Sequence, residues 1–162
     1  MSIIDLRPVE DADHDEIFEM MRDPEAVAMA AFTAQDPADR AAFEAHMRKI
    51  RANPEVTFRV ITRDGAFAGT ISSFVMEGDT EITYWVDRAL WGQGVASQAL
   101  ELFLTQVTVR PLFARAASDN VGSLRVLEKA GFRVVGSEVS HANGRGGPIK
   151  EAILTLPSGH DR

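Results

Sequence analysis

Cysteine is absent from all 162 residues. That excludes disulfides, zinc–thiolate centres and a cysteine nucleophile. Long apolar runs are missing too: Asp5 and Arg7 interrupt the sequence almost at its start, so no segment suits export or membrane insertion. The expected setting is the cytoplasm, with no membrane partner. Basic charge is in deficit, 17 Lys and Arg against 24 Asp and Glu for a net charge of −7. This argues against nucleic acid as a partner. It favours a cationic or amine substrate only weakly, because most surface carboxylates serve solubility. The four histidines, His14, His46, His141 and His160, lack metal-ligand spacing, and no metal is expected. Repeats, low-complexity tracts and linkers are also lacking, so one domain is expected over 1–162, with 157–162 as a frayed tail.

What is present is 45% apolar and 25% charged, the profile of a soluble globular protein. Its most informative stretch is Trp91-Gly92-Gln93-Gly94-Val95-Ala96, where an extended segment gives way to an amphipathic helix. Glycine adopts positive φ and lets a ligand approach the backbone. The helix that follows presents unpaired N–H groups and a partial positive charge. Together these suit a phosphate or pyrophosphate. The same glycines would also serve merely to shape a strand-to-helix turn.

Around that stretch the pattern predicts a strand at 3–7, then a helix opened by an Asp13/Glu16 capping box with Ile17, Met20 and Met21 on its apolar stripe. Asp23-Pro24 and Asp36-Pro37 each read as a cap followed by proline at the first helical position. The second pair opens a helix carrying Phe43, Met47 and Ile50 and ending near Asn53-Pro54. A three-strand meander follows at 56–63, 66–76 and 80–87, turning at Asp64-Gly65 and at Glu77-Gly78-Asp79. After the glycines come a helix with Ala96, Ala99, Leu100, Phe103 and Val107 on one face and a strand at 112–117. A helix at 121–130 stopped by Gly131 follows, then a hairpin of 132–141 with 149–156 around a glycine-rich tip. This is a mixed α/β sheet of about seven strands with flanking helices, not a repeated βαβ series.

The element order and two motifs together resemble the GNAT superfamily of acetyl-coenzyme A-dependent N-acetyltransferases, along nearly the whole chain. One motif is the 91–96 stretch, which matches the family's pyrophosphate loop except that Trp91 replaces Gln or Arg at its first position. The other is Asn120-Val121-Gly122-Ser123 running through Leu127-Glu128-Lys129-Ala130 to Gly131-Phe132. Both look like the ribosomal-protein-alanine N-acetyltransferase (Rim-type) branch.

The resemblance implies acetyl-CoA as cosubstrate and no metal. Backbone N–H groups of Gln93, Gly94, Val95 and Ala96, with Ser97 beside them, would hold the pyrophosphate. Trp85 and Val86, on the strand before the loop, would lie along the pantetheine arm, and Asn120 would hydrogen-bond it. Asn120 also suits an ordinary helix N-cap, and the two roles are compatible. Ser123 becomes the candidate to protonate the departing thiolate, because the family's common tyrosine position is Leu127 here and the one tyrosine, Tyr84, lies on a different strand. A plain first-turn serine is the alternative. Glu81 is the general-base candidate, against a solvated strand carboxylate. Strict alternation puts Glu81 on the face of Trp85, opposite Tyr84 and Val86, unless a bulge intervenes.

Met20, Met21, Met29 and Met47 read as core fillers, some of which could touch substrate. Arg145 reads as a solvated loop residue rather than a substrate clamp. The expected activity is direct, sequential transfer to a primary amine of a small molecule or a peptide N-terminus, by a monomer or homodimer. The segment 26–36 and the tip 142–148 would decide the acceptor. Two rivals remain: a non-catalytic acyl-CoA-binding module, and a dinucleotide-binding oxidoreductase. The latter lacks the third glycine, having Ser97 instead.

Overall fold

The computed structural model describes residues 2–158. His160 and the end of the expected tail lie outside them. Seven strands form one sheet in the order β1-β2-β3-β4-β5-β7-β6. They are β1 (Ile4–Pro8), β2 (Thr57–Arg63), β3 (Ala66–Met76), β4 (Asp79–Val86), β5 (Leu112–Ala117), β6 (Arg133–Ala142) and β7 (Gly147–Leu156). Every neighbouring pair is antiparallel except β4 with β5. Two-residue turns at Asp64-Gly65 and Glu77-Gly78 close the meander and fix its register.

The helices are α1 (His14–Arg22), α2 (Pro24–Ala30), α3 (Arg40–Ala52), α4 (Val95–Gln106) and α5 (Val121–Lys129). α4 and α5 cover one face of the sheet. Ala99, Leu100 and Phe103 of α4 and Leu127 of α5 pack there against Ile61, Ile71, Ile82, Leu112 and Leu154 in one buried cluster. Fully burying the leucine, isoleucine and phenylalanine side chains contributes roughly 1.5–3 kcal/mol each. A separate, smaller cluster of Ala31, Ala117 and Ala142 ties the end of α2 to β5 and β6. No helix of the described residues is long and apolar enough to cross a membrane.

Two helix starts differ from the sequence expectation. Asp13 does not cap α1: its carboxylate accepts the Glu10 N–H at 2.8 Å and both Arg7 guanidinium nitrogens at 2.8 Å. The Arg7 fork is a stronger partner than the α1 N–H groups. α3 begins at Arg40, not after Asp36. Asp36 instead holds a local turn through the Ala38 N–H, and Asp39 takes the cap by accepting the Ala42 N–H at 3.0 Å. Asp23 caps α2 as expected, accepting from Glu25 and Ala26. Gly131, at φ 105°, stops α5 as expected.

Candidate functional site

β4 and β5 pair over three residues only, from Thr80↔Leu112 to Ile82↔Ala114. Beyond that point β4 runs on to Val86 beside β3, while β5 runs on to Ala117 beside β7. The two parallel strands therefore part, leaving an opening in the middle of the sheet. Such a gap exposes backbone groups that strand pairing would otherwise satisfy.

The opening leads toward the start of α4. Asp87 and the short 3-10 turn Arg88–Leu90 carry the chain from β4 to the glycine loop. Gly94 sits at φ 79°, a left-handed conformation that side-chain-bearing residues adopt at a cost. α2, α3 and α5 each start on an Asp or Asn whose side chain takes a free backbone N–H; Gly94 has no side chain to do so. The first α4 bond runs from Gln98 N–H to the Gly94 carbonyl at 3.1 Å, so Val95, Ala96 and Ser97 have no carbonyl one turn back to receive their N–H groups. The Val95 side chain is buried in the core, so only its backbone faces the loop. Sequence reasoning missed a cation here: Arg63, at the end of β2, donates to the Gln93 side-chain oxygen at 2.6 Å. Trp91, the odd residue of the motif, donates its indole N–H to the Val86 carbonyl at 2.9 Å. That carbonyl keeps a second lone pair.

On the helix-covered side of the opening, Asn120 caps α5 by accepting the Ser123 N–H at 3.2 Å. Its amide N–H reaches the Met29 carbonyl of α2 at 3.4 Å. Ser123 lies one turn in, and its Oγ is 2.8 Å from the Tyr84 hydroxyl. Tyr84 belongs to the part of β4 that has left β5, and burial pushes its phenol up to about 12. The sole tyrosine, set aside on sequence grounds because it sits on another strand, thus meets the candidate serine.

Glu81 occupies the opposite face. The β3–β4 register is unbroken from Gly69↔Val86 to Met76↔Asp79, so no bulge turns Glu81 toward Tyr84. It is nevertheless not a solvated strand carboxylate: it is 7% exposed and lies 3.5 Å from Nε of Arg115 on β5. The same guanidinium pairs with Glu138 and, at 3.4 Å, with buried Glu151. Burial raises the Glu81 carboxyl above its ordinary range, Arg115 pulls it back, and Glu151 adds to the rise. Trp85 shares this face, half-buried.

The segment after α2 and the β6–β7 tip meet directly. Gly144 donates its N–H to the Ala31 carbonyl at 2.7 Å, and Asn143 donates to the Thr33 carbonyl at 2.8 Å. Arg145 holds both oxygens of Asp119 at 2.8 and 2.9 Å and also donates to the Ala28 carbonyl. It stays exposed, as expected of a loop residue, and also ties the tip to α2 and to Asp119 just past β5. Ala31 carries the strain of this junction at φ 65°. Of the methionines, Met20 and Met47 are core fillers as expected, while Met29 is 41% exposed beside Asn120. His14 is held between Glu44 and Arg51, and His46 and His141 are exposed.

The "Acetyltransferase (GNAT) domain" family matches residues 4–133. "Probable N-acetyltransferase YjcK" of Bacillus subtilis (strain 168) is 30% identical over 100 residues, which is 56% of this chain and 55% of that protein. The match thus spans about half the length of that curated relative. Among solved structures, Mycobacterium smegmatis RimJ in complex with CoA-disulfide superposes with a TM-score of 0.81 at 22% identity, over 97% of this chain and 83% of that one. A GNAT superfamily phosphinothricin acetyltransferase from Sinorhizobium meliloti in complex with AcCoA gives 0.81 at 20% identity, over 97% and 89%. At these identities the likeness to the solved structures is one of fold. The parted strands, the uncapped glycine loop and the family match over 4–133 agree: this chain belongs to the GNAT acetyltransferase family.

Proposed function

We propose that the chain transfers the acetyl group of acetyl-CoA to a primary amine, of a small molecule or a peptide N-terminus, by direct attack. One observation carries this reading: the opening between β4 and β5 leads to a helix start whose N–H groups no side chain caps. An extended thioester with an anionic pyrophosphate at its far end has the shape and charge for that pair of features. Gln93, Gly94, Val95, Ala96 and Ser97 would receive the pyrophosphate, with Arg63 adding positive charge. Trp85, Val86 and Asn120 would flank the pantetheine arm.

Glu81 takes the proton of the incoming ammonium, directly or through water. Its raised pKa brings it closer to the working pH, which makes it a better base there. The neutral amine nitrogen forms a bond to the carbonyl carbon, the carbon–sulfur bond breaks, and sulfur keeps the electron pair. Ser123 gives its hydroxyl proton to that sulfur, and the nitrogen, cationic once bonded to carbon, sheds its second proton, which returns to the serine oxygen through water. Base and acid stand on opposite faces of the sheet, which suits a thioester lying in the opening with the amine entering from one side and the thiol leaving toward the other. No cysteine exists to carry the acetyl group covalently, in keeping with direct attack.

The test is thiol release from acetyl-CoA across small amines, amino acids and peptides with free N-termini. Release that requires an amine, with acetyl-amine formed in equal amount, supports the reading. Tight acetyl-CoA binding with no turnover on any amine points instead to a binding module.

A further inference from the structure

We infer that Tyr84 is the positioning residue for Ser123, aiming the serine hydroxyl into the opening where the thiol leaves. This rests on the reading of Ser123 given above. The contact joins the two sides of the opening: Tyr84 lies on β4 two residues past the last β4–β5 pair, and Ser123 lies on the helix that follows β5.

A serine hydroxyl has one hydrogen and two lone pairs, and left alone it rotates freely. The Tyr84 hydroxyl is 2.8 Å from Ser123 Oγ and 3.3 Å from the Ser123 carbonyl. Either hydroxyl can donate across the 2.8 Å contact; we assign the Tyr84 hydrogen to Oγ, the shorter of its two contacts. With one lone pair of Oγ occupied by this donor, the serine hydrogen is turned away from Tyr84.

Burial keeps the phenol protonated throughout the neutral range, so Tyr84 remains a hydrogen-bond donor and does not itself titrate there. When the carbon–sulfur bond breaks, the Ser123 proton moves to sulfur. The Tyr84 O–H stabilises the charge developing on Oγ, and a water proton restores the serine. The ammonium's first proton leaves through Glu81; the nitrogen's second, shed to water once the carbon–nitrogen bond has formed, makes good the proton that water returns to Ser123, so the step balances.

Tyr84→Phe keeps the ring in its packing and removes only the hydroxyl. Its kcat should fall roughly tenfold, the scale of one buried hydrogen bond of about 1.4 kcal/mol, with the KM for acetyl-CoA within twofold. In a Ser123→Ala background the same change should do almost nothing, because its target is gone. A second readout does not depend on turnover. Since the chain has one tyrosine, ring-labelled tyrosine gives a single magnetic-resonance signal, and coenzyme A should shift it.

Parental kcat in Tyr84→Phe, an equal loss in the Ser123→Ala background, or a ring signal unmoved by saturating coenzyme A would each overturn the inference. Ser123→Ala at the parental rate would overturn the reading of Ser123 and this inference with it. A slow Ser123→Ala beside an unaffected Tyr84→Phe would overturn the inference alone.

Discussion

Two buried carboxylates respond to pH in opposite senses, and each makes a separate prediction. Asp13 is held below the usual range by the Arg7 guanidinium, with the Glu10 N–H assisting. Its folded pKa lies under the unfolded value, so its contribution is fully present above about 3.8 and is lost as pH falls through the folded value. Asp13→Asn should cost about 1–3 kcal/mol at neutral pH, read by urea unfolding, and the deficit should shrink in acid. Glu81 is raised, chiefly by burial. Its contribution is therefore present below about 4.5 and is lost as pH rises through the folded value. At neutral pH the ionised group costs stability, and Glu81→Gln should unfold at a higher temperature than the parent there, the gap closing below pH 4.5. As general base its loss should lower kcat by about 10²–10⁴-fold. A variant more stable and much slower separates the catalytic role from a structural one; parental turnover would leave Glu81 as the Arg115 partner only.

At the scale of elements, the wall formed by α2 and the β6–β7 tip depends on close backbone contact at Gly144. A Cβ there would run into the carbonyl oxygen of Val27 and crowd Ala31. Backbone atoms cannot rotate out of the way, so Gly144→Ala should push the tip off α2 at a cost of about 1–3 kcal/mol. If this wall borders the acceptor, steady-state kinetics should show a raised KM for the amine and an unaltered KM for acetyl-CoA. Equal effects on both would move the acceptor elsewhere.

The same scale shows what the sequence made legible. β3 and β5 have the bounds predicted, β3 because Asp64-Gly65 and Glu77-Gly78 bracket it and leave the chain little choice. The α3 start differs from the Asp36 cap expected because Asp36 holds a local turn and Asp39 reaches the helical N–H, a choice only the fold makes. Asp13 looked like a cap for the same reason, until Arg7 claimed it. The glycine loop was readable as a local motif. Tyr84 with Ser123, Glu81 with Arg115 and Arg63 with Gln93 were not, since each pair is joined by tertiary packing that no short window contains.

Across the whole molecule, the proposed ligand site lies where the sheet is interrupted. β1 to β4 form one sheet half, β5 to β7 the other, and three residue pairs join them before the strands part. α4 starts from the first half and α5 from the second, so an occupant of the opening touches both. Titration calorimetry with coenzyme A, comparing the parent with Gly94→Val, tests this claim most directly. A β-branched side chain is strained at φ 79° and stands at the helix start that would face the pyrophosphate. The account predicts saturable binding by the parent and at least a tenfold loss, about 1.4 kcal/mol, in Gly94→Val with its circular dichroism unchanged. Unaltered affinity in that variant, or no binding by the parent, would contradict it.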